Sequence, residues 1–343
     1  MNSATCAAPV HRAAVLQGLG GFVPPRAVPN RELCRRLDTT DEWIRTRLGI
    51  ASRHVADEAT TVDLAVEAAV RAIDMAGGGS LDAVVLATTT PDRLCPASAP
   101  EIAARLGYTG VAAFDVGAVC AGFVYALAVG SSVISAGLFE RILVVGADVF
   151  TTLVNPDDRL TCSIFGDGAG AVVLRAGHRD EPGAVGPFDL GSDGTQVSAV
   201  EVPGGGTRAA KGLAAQGALP YLVMDGPRVF QRAVAEMTSS SHRVLDRAGW
   251  AAADLDRFVP HQANIRIVRA TAQELGLSDK QVETNIEHVG NTVAASVPLA
   301  LCYAHDQGRL TAGHRVLMTS IGAGLAWGSA VMTWPELNGK AKL

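Results

Sequence analysis

Cys120 stands where a thiol could act as a nucleophile. Ala113 to Val116 reads as a short strand, Gly117 to Gly122 as a tight turn, and the chain from there to about Ala136 as a helix, which puts Cys120 at a helix start. Unpaired backbone N–H groups and the helix dipole favour a thiolate there, lowering the thiol pKa and poising the sulfur for thioester attack. Residue type alone favours the opposite reading, a small inert core thiol. His261 follows the apolar run Phe258-Val259-Pro260 and precedes Gln262-Ala263-Asn264 and a helix. That is the C-terminal end of a strand, where ligand and catalytic groups of open α/β sheets gather. Asn291 lies in Gly290-Asn291-Thr292, a turn before a helix with Pro298 near its first turn. It reads as a turn residue or, with His261, as one of two donors to a developing oxyanion. Gly324, within Ile321 to Ser329, belongs to a tight hairpin-like loop whose backbone N–H could face a thioester carbonyl; a glycine loop alone is a weak signal.

The elements that position these residues repeat. Leu64 to Thr90 and Val234 to Asn264 each read as an amphipathic helix ending in Ala-Gly, then Leu-Asp, then an apolar strand. Leu81-Asp82 lies 174 positions before Leu255-Asp256, and Arg141-Ile142-Leu143-Val144 the same distance before Arg315-Val316-Leu317-Met318. One offset matching two strand starts suggests duplication, and it carries Cys120 onto Ala294, just after Asn291. The expected halves are residues 1–176, with the nucleophile, and 177–343, with the His and Asn, in one compact unit. Gly, Asp and Ser crowd residues 177–220, which read as a surface excursion, with the repeated elements resuming at about Tyr221. Strands alternating with helices, and small residues around Cys120 and Ala294, suit helices buried between two sheets. The expected fold is α/β in five layers, α-β-α-β-α.

The 343 residues, 48% hydrophobic, suffice for a large core. A net charge of −5 with no Lys/Arg block gives no basis for nucleic-acid binding. The most apolar window, Val111 to Leu138, is broken by Asp115 and glycines and reads as buried core, with no membrane association expected. Six scattered cysteines without C-x-x-C spacing fit a reducing cytoplasm, and residues 1–24 read as a ragged tail into a first strand without an export signal. Lysine is confined to Lys211, Lys280, Lys340 and Lys342, so Arg carries nearly all positive charge, a mark of GC-rich coding.

Six ordered motifs between about Ala14 and Trp334 resemble the β-ketoacyl-acyl-carrier-protein synthase III family. They are Thr39-Thr40-Asp41-Glu42-Trp43-Ile44, Ala118-Val119-Cys120-Ala121-Gly122-Phe123, Phe165-Gly166-Asp167-Gly168-Ala169-Gly170, Pro260-His261-Gln262-Ala263-Asn264, Gly290-Asn291-Thr292 and Gly324-Leu325-Ala326-Trp327-Gly328. The resemblance implies a thiolase fold, a homodimer and a ping-pong reaction. Cys120 would take a short-chain acyl group from coenzyme A, with the N–H groups of Cys120 and Gly324 holding the oxyanion. His261 and Asn291 would stabilise the enolate formed as malonyl-acyl-carrier protein loses carbon dioxide. No metal and no redox cofactor is expected, because the thioester already activates the reacting carbons.

The resemblance also implies a coenzyme A site. Thr40 can cap a short helix ended by Gly49 that puts Trp43 and Arg47 on one face. Trp43 would stack the adenine, Arg159 would pack on its other side, Arg47 would meet phosphates, and Asn264 would line the pantetheine tunnel. Arg266 would belong to a basic patch docking the acidic carrier protein. The segment Asp92-Arg93-Leu94-Cys95-Pro96 matches the one that crosses the dimer interface to cap the partner's acyl pocket. Cys95 stands where acetyl-selective members carry Phe, so propionyl, butyryl or branched starters are expected to be tolerated. GC-rich composition and Cys95 tilt the expected pathway towards polyketide priming in an actinomycete rather than fatty acid initiation, although both use the same residues. The competing readings are a thiolase-fold acyltransferase to an alcohol or amine, a degenerate partner subunit and a papain-like hydrolase. Intact His261 and Asn291 argue against the first, intact Cys120 against the second, and the place of Cys120 in the chain against the third.

Overall fold

The computed structural model describes residues 12–215 and 217–342. Its strands are β1 (Arg12–Phe22), β2 (Ala83–Ala87), β3 (Ala112–Val116), β4 (Arg141–Asp148), β5 (Gly168–His178), β6 (Val185–Ser192), β7 (Arg257–Pro260), β8 (Arg315–Gly322) and β9 (Ala326–Thr333), besides short ribbons. The first sheet runs β1-β5-β4-β2-β3 and the second β6-β9-β8-β7. Parallel pairs join β4 to β2 and β8 to β7, and antiparallel pairs join the rest on the β1 and β6 sides. Beside β7, where the first sheet has β3, the second has a parallel bridge from Phe258 to Val282.

The layers follow from where the apolar residues fall. The run Ala83 to Ala87 is buried throughout, as a parallel strand covered on both faces must be. Between the sheets lie helices α3 (Gly122–Ser135) and α6 (Ser296–Asp306), each apolar around most of its circumference. Gly130 lets α3 settle on β4, because a Cβ there would meet Ile142 at 2.5 Å. Outside the first sheet packs α2 (Thr61–Met75), started by a reciprocal Thr60–Asp63 capping box. Outside the second pack α4 (Gly226–Ala248) and α5 (Ile265–Glu274), completing five layers.

The duplicated positions occupy equivalent places: β2 and β7, β4 and β8, and the turns Val119–Ala121 and Val293–Ala295 all begin 174 positions apart, within the one or two residues that boundaries allow. The stretch from 177 to 220 is only partly an excursion. Residues Val185–Ser192 form the edge of the second sheet, paired with β9 alone. Gly186, Pro187 and Gly191 disguise that strand, and an edge is where a sheet tolerates proline. The excursion proper leaves after β6 and returns before α4, with a small ribbon of Val200–Glu201 against Val223–Met224. Among the described residues no helix is long and apolar enough to cross a membrane.

Candidate active site

Three segments converge where the two sheets' strand ends meet the buried helices. Cys120 sits in a single 3-10 turn, Val119–Ala121, ahead of α3, with Val119 held at φ 47°. A β-branched residue in that region is strained, so the surroundings must hold the turn. They do so from β8: the Ser320 hydroxyl donates to the Cys120 carbonyl at 2.7 Å. Gly322 lies flat against the turn, and a Cβ there would meet the Cys120 nitrogen at 2.7 Å. The Cys120 N–H has no acceptor among the described residues.

His261 follows β7 and is buried, its N–H donating to the Thr319 carbonyl at 2.8 Å, one residue before Ser320. The same strand end therefore holds both the histidine and the cysteine turn. Gln262 N–H donates to the Ser296 hydroxyl at 2.7 Å, tying the histidine loop to the first residue of α6. Asn291 precedes that helix, and its backbone bridges the strand-like Ile164–Gly166 segment from both sides. Its side-chain oxygen accepts from Val293 N–H at 3.0 Å, which leaves the amide nitrogen as the free donor. Gly324 lies in the hairpin between β8 and β9, and its N–H has no acceptor among the described residues. A cavity of about 490 Å³ opens there, lined by Thr88, Thr89, Ala118, Val119, Gly324 and Leu325 among others.

The electrostatics depart from the sequence expectation in one respect. Cys120 is not poised as a thiolate: burial pushes its pKa up, and the buried carboxylate of Asp148 adds to the rise. The helix start does not compensate, because the thiol is packed into an apolar cluster with Val293, Ile164 and Phe165. Burial lowers the His261 pKa to about 3, so the ring is neutral near pH 7, and its Nδ1 has no partner.

The outer residues are placed as follows. Thr40 caps helix α1 (Asp41–Leu48) by accepting from Trp43 N–H at 3.1 Å, and Gly49 ends it at φ 80°. Trp43 is half-buried in the apolar cluster that also contains Cys120, with Leu222 and Met224 from the excursion. Arg47 is exposed one turn further on. Arg159 is exposed, and its guanidinium donates to the Asp38 carbonyl at 2.8 Å. Asn264 caps α5, accepting from Arg266 N–H at 2.9 Å. Arg266 is exposed and lies over the Phe230 ring of α4, 5.3 Å from its centroid. Cys95 does not line this chain's cavity; it lies on an exposed loop beside the fully exposed Leu94. Sequence reasoning missed Ser320, Gly322 and Asp148. The 174-residue offset pairs Asp148 with Gly322 and could have flagged both.

Five layers with a cysteine at one buried helix start, and an asparagine at the other, describe a thiolase-fold acyltransferase. Comparison with known proteins agrees. Residues 114–194 match the family 3-oxoacyl-[acyl-carrier-protein] synthase III, and residues 245–334 match its C-terminal part. The chain is 55% identical to β-ketoacyl-[acyl-carrier-protein] synthase III 3 of Streptomyces coelicolor over 95% of its own length and 99% of the relative's. The crystal structure of 3-oxoacyl-(acyl carrier protein) synthase III from Pseudomonas aeruginosa superposes with a TM-score of 0.90 at 49% identity, covering 95% of this chain and 100% of that one. A priming β-ketosynthase from a polyketide biosynthetic pathway superposes at 0.89 with 35% identity, covering 97% and 100%. The chain belongs to the β-ketoacyl-acyl-carrier-protein synthase III family, and its reaction is that family's condensation.

Proposed function

We propose that this enzyme starts chain building by joining a short-chain acyl group from coenzyme A to malonyl-acyl-carrier protein through an acyl-Cys120 intermediate. The observation that carries this reading is the unpartnered Cys120 N–H beside its own thiol, in a turn open to a cavity where Gly324 N–H is also free. Two such donors stabilise a tetrahedral oxyanion. The sulfur attacks the acyl carbonyl, the C–S bond to coenzyme A breaks, and the thiol proton ends on the departing coenzyme A sulfur. Because Cys120 is a thiol at rest, proton loss accompanies attack instead of preceding it.

Malonyl-carrier then occupies the vacated site. Its carboxylate leaves as carbon dioxide, and the bonding electron pair moves into a thioester enolate. Asn291 offers its amide nitrogen to that oxygen. Neutral His261 offers a second donor in the tautomer that carries its proton on Nε2. The enolate carbon attacks acyl-Cys120, a C–C bond forms, and the C–S bond breaks. A proton from solvent restores the thiol. Thioester chemistry accounts for every bond change, so the proposed reaction calls for no resident cofactor.

Trp43 and Arg47, one turn apart on α1, together with the exposed Arg159 suit an adenine and its phosphates, and Asn264 is assigned to the pantetheine arm. Arg266, exposed and free of carboxylate partners among the described residues, suits an acidic carrier protein. A homodimer is supported by strand β3, a half-exposed sheet edge, and by the exposed Leu94 and Cys95. In that assembly Cys95 caps the partner's pocket and admits propionyl, butyryl or branched starters, for fatty acid or aromatic polyketide priming in the cytoplasm. The test offers a panel of radiolabelled acyl-CoAs to wild type and to Cys120→Ala, with mass spectrometry of the carrier-bound product. Label retained by wild type alone, and a β-ketoacyl product, uphold the reading. Label on Cys120→Ala overturns the nucleophile, and use of acetyl-CoA alone overturns the starter range.

A further inference from the structure

Asp148 ends β4 as a fully buried carboxyl group that the reaction steps above do not use. Its Oδ1 accepts from Thr89 N–H at 2.7 Å, the Thr90 hydroxyl at 3.1 Å and the Thr88 hydroxyl at 3.2 Å. Its Oδ2 accepts from Ala294 N–H at 3.0 Å. One carboxylate thus joins two walls of the site: the loop after β2, whose Thr88 and Thr89 line the cavity, and the turn that follows Asn291. That turn needs holding, because Val293 sits at φ 52°. Asn291 rides on it, since its side-chain oxygen is fixed by Val293 N–H. The equivalent corner of the other half closes with Gly322 and no carboxylate, so the fold itself does not demand an acid at this place.

We propose that Asp148 is a positioning residue for the condensation step, locking the Asn291 turn to the Thr88–Thr90 wall. The inference rests on the reading of Asn291 as an enolate-binding group. A carboxylate suits the task because all four partners donate; an amide of the same shape would turn an N–H towards at least one of them. Asp148 also adds to the rise of the Cys120 thiol's pKa. Removing the charge therefore makes Cys120 easier to ionise.

The experiment compares full-length wild type, Asp148→Asn and Asn291→Ala. It measures self-acylation by labelled acetyl-CoA, carbon dioxide release from malonyl loaded on a bacterial acyl carrier protein, and iodoacetamide alkylation of Cys120 against pH. For Asp148→Asn, carbon dioxide release falls about tenfold or more, self-acylation stays within about threefold, and the alkylation profile moves to lower pH. Wild-type behaviour in all three, or equal losses in both half-reactions with an unmoved alkylation profile, overturns the proposal. Undiminished carbon dioxide release by Asn291→Ala overturns the reading of the site and the inference with it. If Asp148→Asn does not fold, Thr88→Val carries the test. Losing one donor raises the Asp148 pKa, so the acidic limb of the carbon dioxide release profile moves up, and an unmoved limb overturns the proposal.

Discussion

The turns at Cys120 and Ala294 share one backbone and differ in what the opposite strand end presents to them. Each is a single 3-10 turn before a buried helix, with a valine forced to positive φ, 47° at Val119 and 52° at Val293. At Ala294 the strand end supplies Asp148, which takes the turn's N–H. At Cys120 it supplies Gly322, which takes nothing, while Ser320 holds the carbonyl instead. Gly146, the counterpart of Ser320, lies flat on the Ala294 carbonyl, where a Cβ would come within 2.4 Å. The difference teaches that a duplicated scaffold becomes asymmetric by exchanging glycine and a polar residue at two strand positions. One turn has its N–H taken by a carboxylate, and the other keeps an N–H without an acceptor among the described residues.

The comparison can be broken at its most reactive point first. Cys120→Ala makes the two turns chemically alike and should lower condensation by roughly a thousandfold or more, with no acyl-enzyme seen by intact-protein mass spectrometry. His261→Ala and Asn291→Ala should each cost about a hundredfold in carbon dioxide release while the acyl-enzyme still forms, as rapid-quench assays would report. Gly322→Ala intrudes on three backbone atoms of the Cys120 turn. A displacement approaching 1 Å should lower self-acylation by about a hundredfold or less, with a stability loss of about 1 to 3 kcal/mol measured by urea unfolding.

Acid titration sharpens the contrast between the two buried titrating groups. The native His261 pKa is about 3 against an ordinary value of 6.5, so between these values the unfolded chain binds a proton that the native one refuses. The contribution is intact above about pH 6.5 and is lost as pH falls towards 3, on the order of 2 kcal/mol between pH 7 and 5. His261→Gln should remove that slope in urea unfolding. Asp148 runs the other way: its native pKa is raised to about 6 from 3.8, so stability falls as pH rises through this range. Asp148→Asn should remove that slope in urea unfolding. The smallest effect expected is at the surface, where Arg266→Ala should raise the KM for malonyl-carrier by about fivefold and leave the KM for acyl-CoA unchanged.

Much of the scaffold was legible because it is written in local patterns. Thr40 and Gly49 bracket α1 as capping chemistry requires, and Gly117 to Gly122 announces the turn before α3. The repeat at 174 residues located both turns before any contact was known. Strand β6 was not legible, because Pro187 and its glycines have the composition of a loop and only pairing with β9 makes them a strand. The role of Cys95 was not legible either, because a residue on an exposed loop of one chain has no neighbours there that define a pocket.

The sequence by itself determined the candidate residues and their order, because the motifs holding Cys120, His261 and Asn291 stand in a fixed sequence along the chain. It also determined the layering, through apolar periodicity and the small residues of the buried helices. Only the tertiary structure decided that the Cys120 pKa is pushed up and not down, since burial and the charge of Asp148 depend on segments far apart in the chain. It alone decided which turn keeps a free N–H. Gly322 and Asp148 look like ordinary strand-end residues until folding brings each against the turn of the other half.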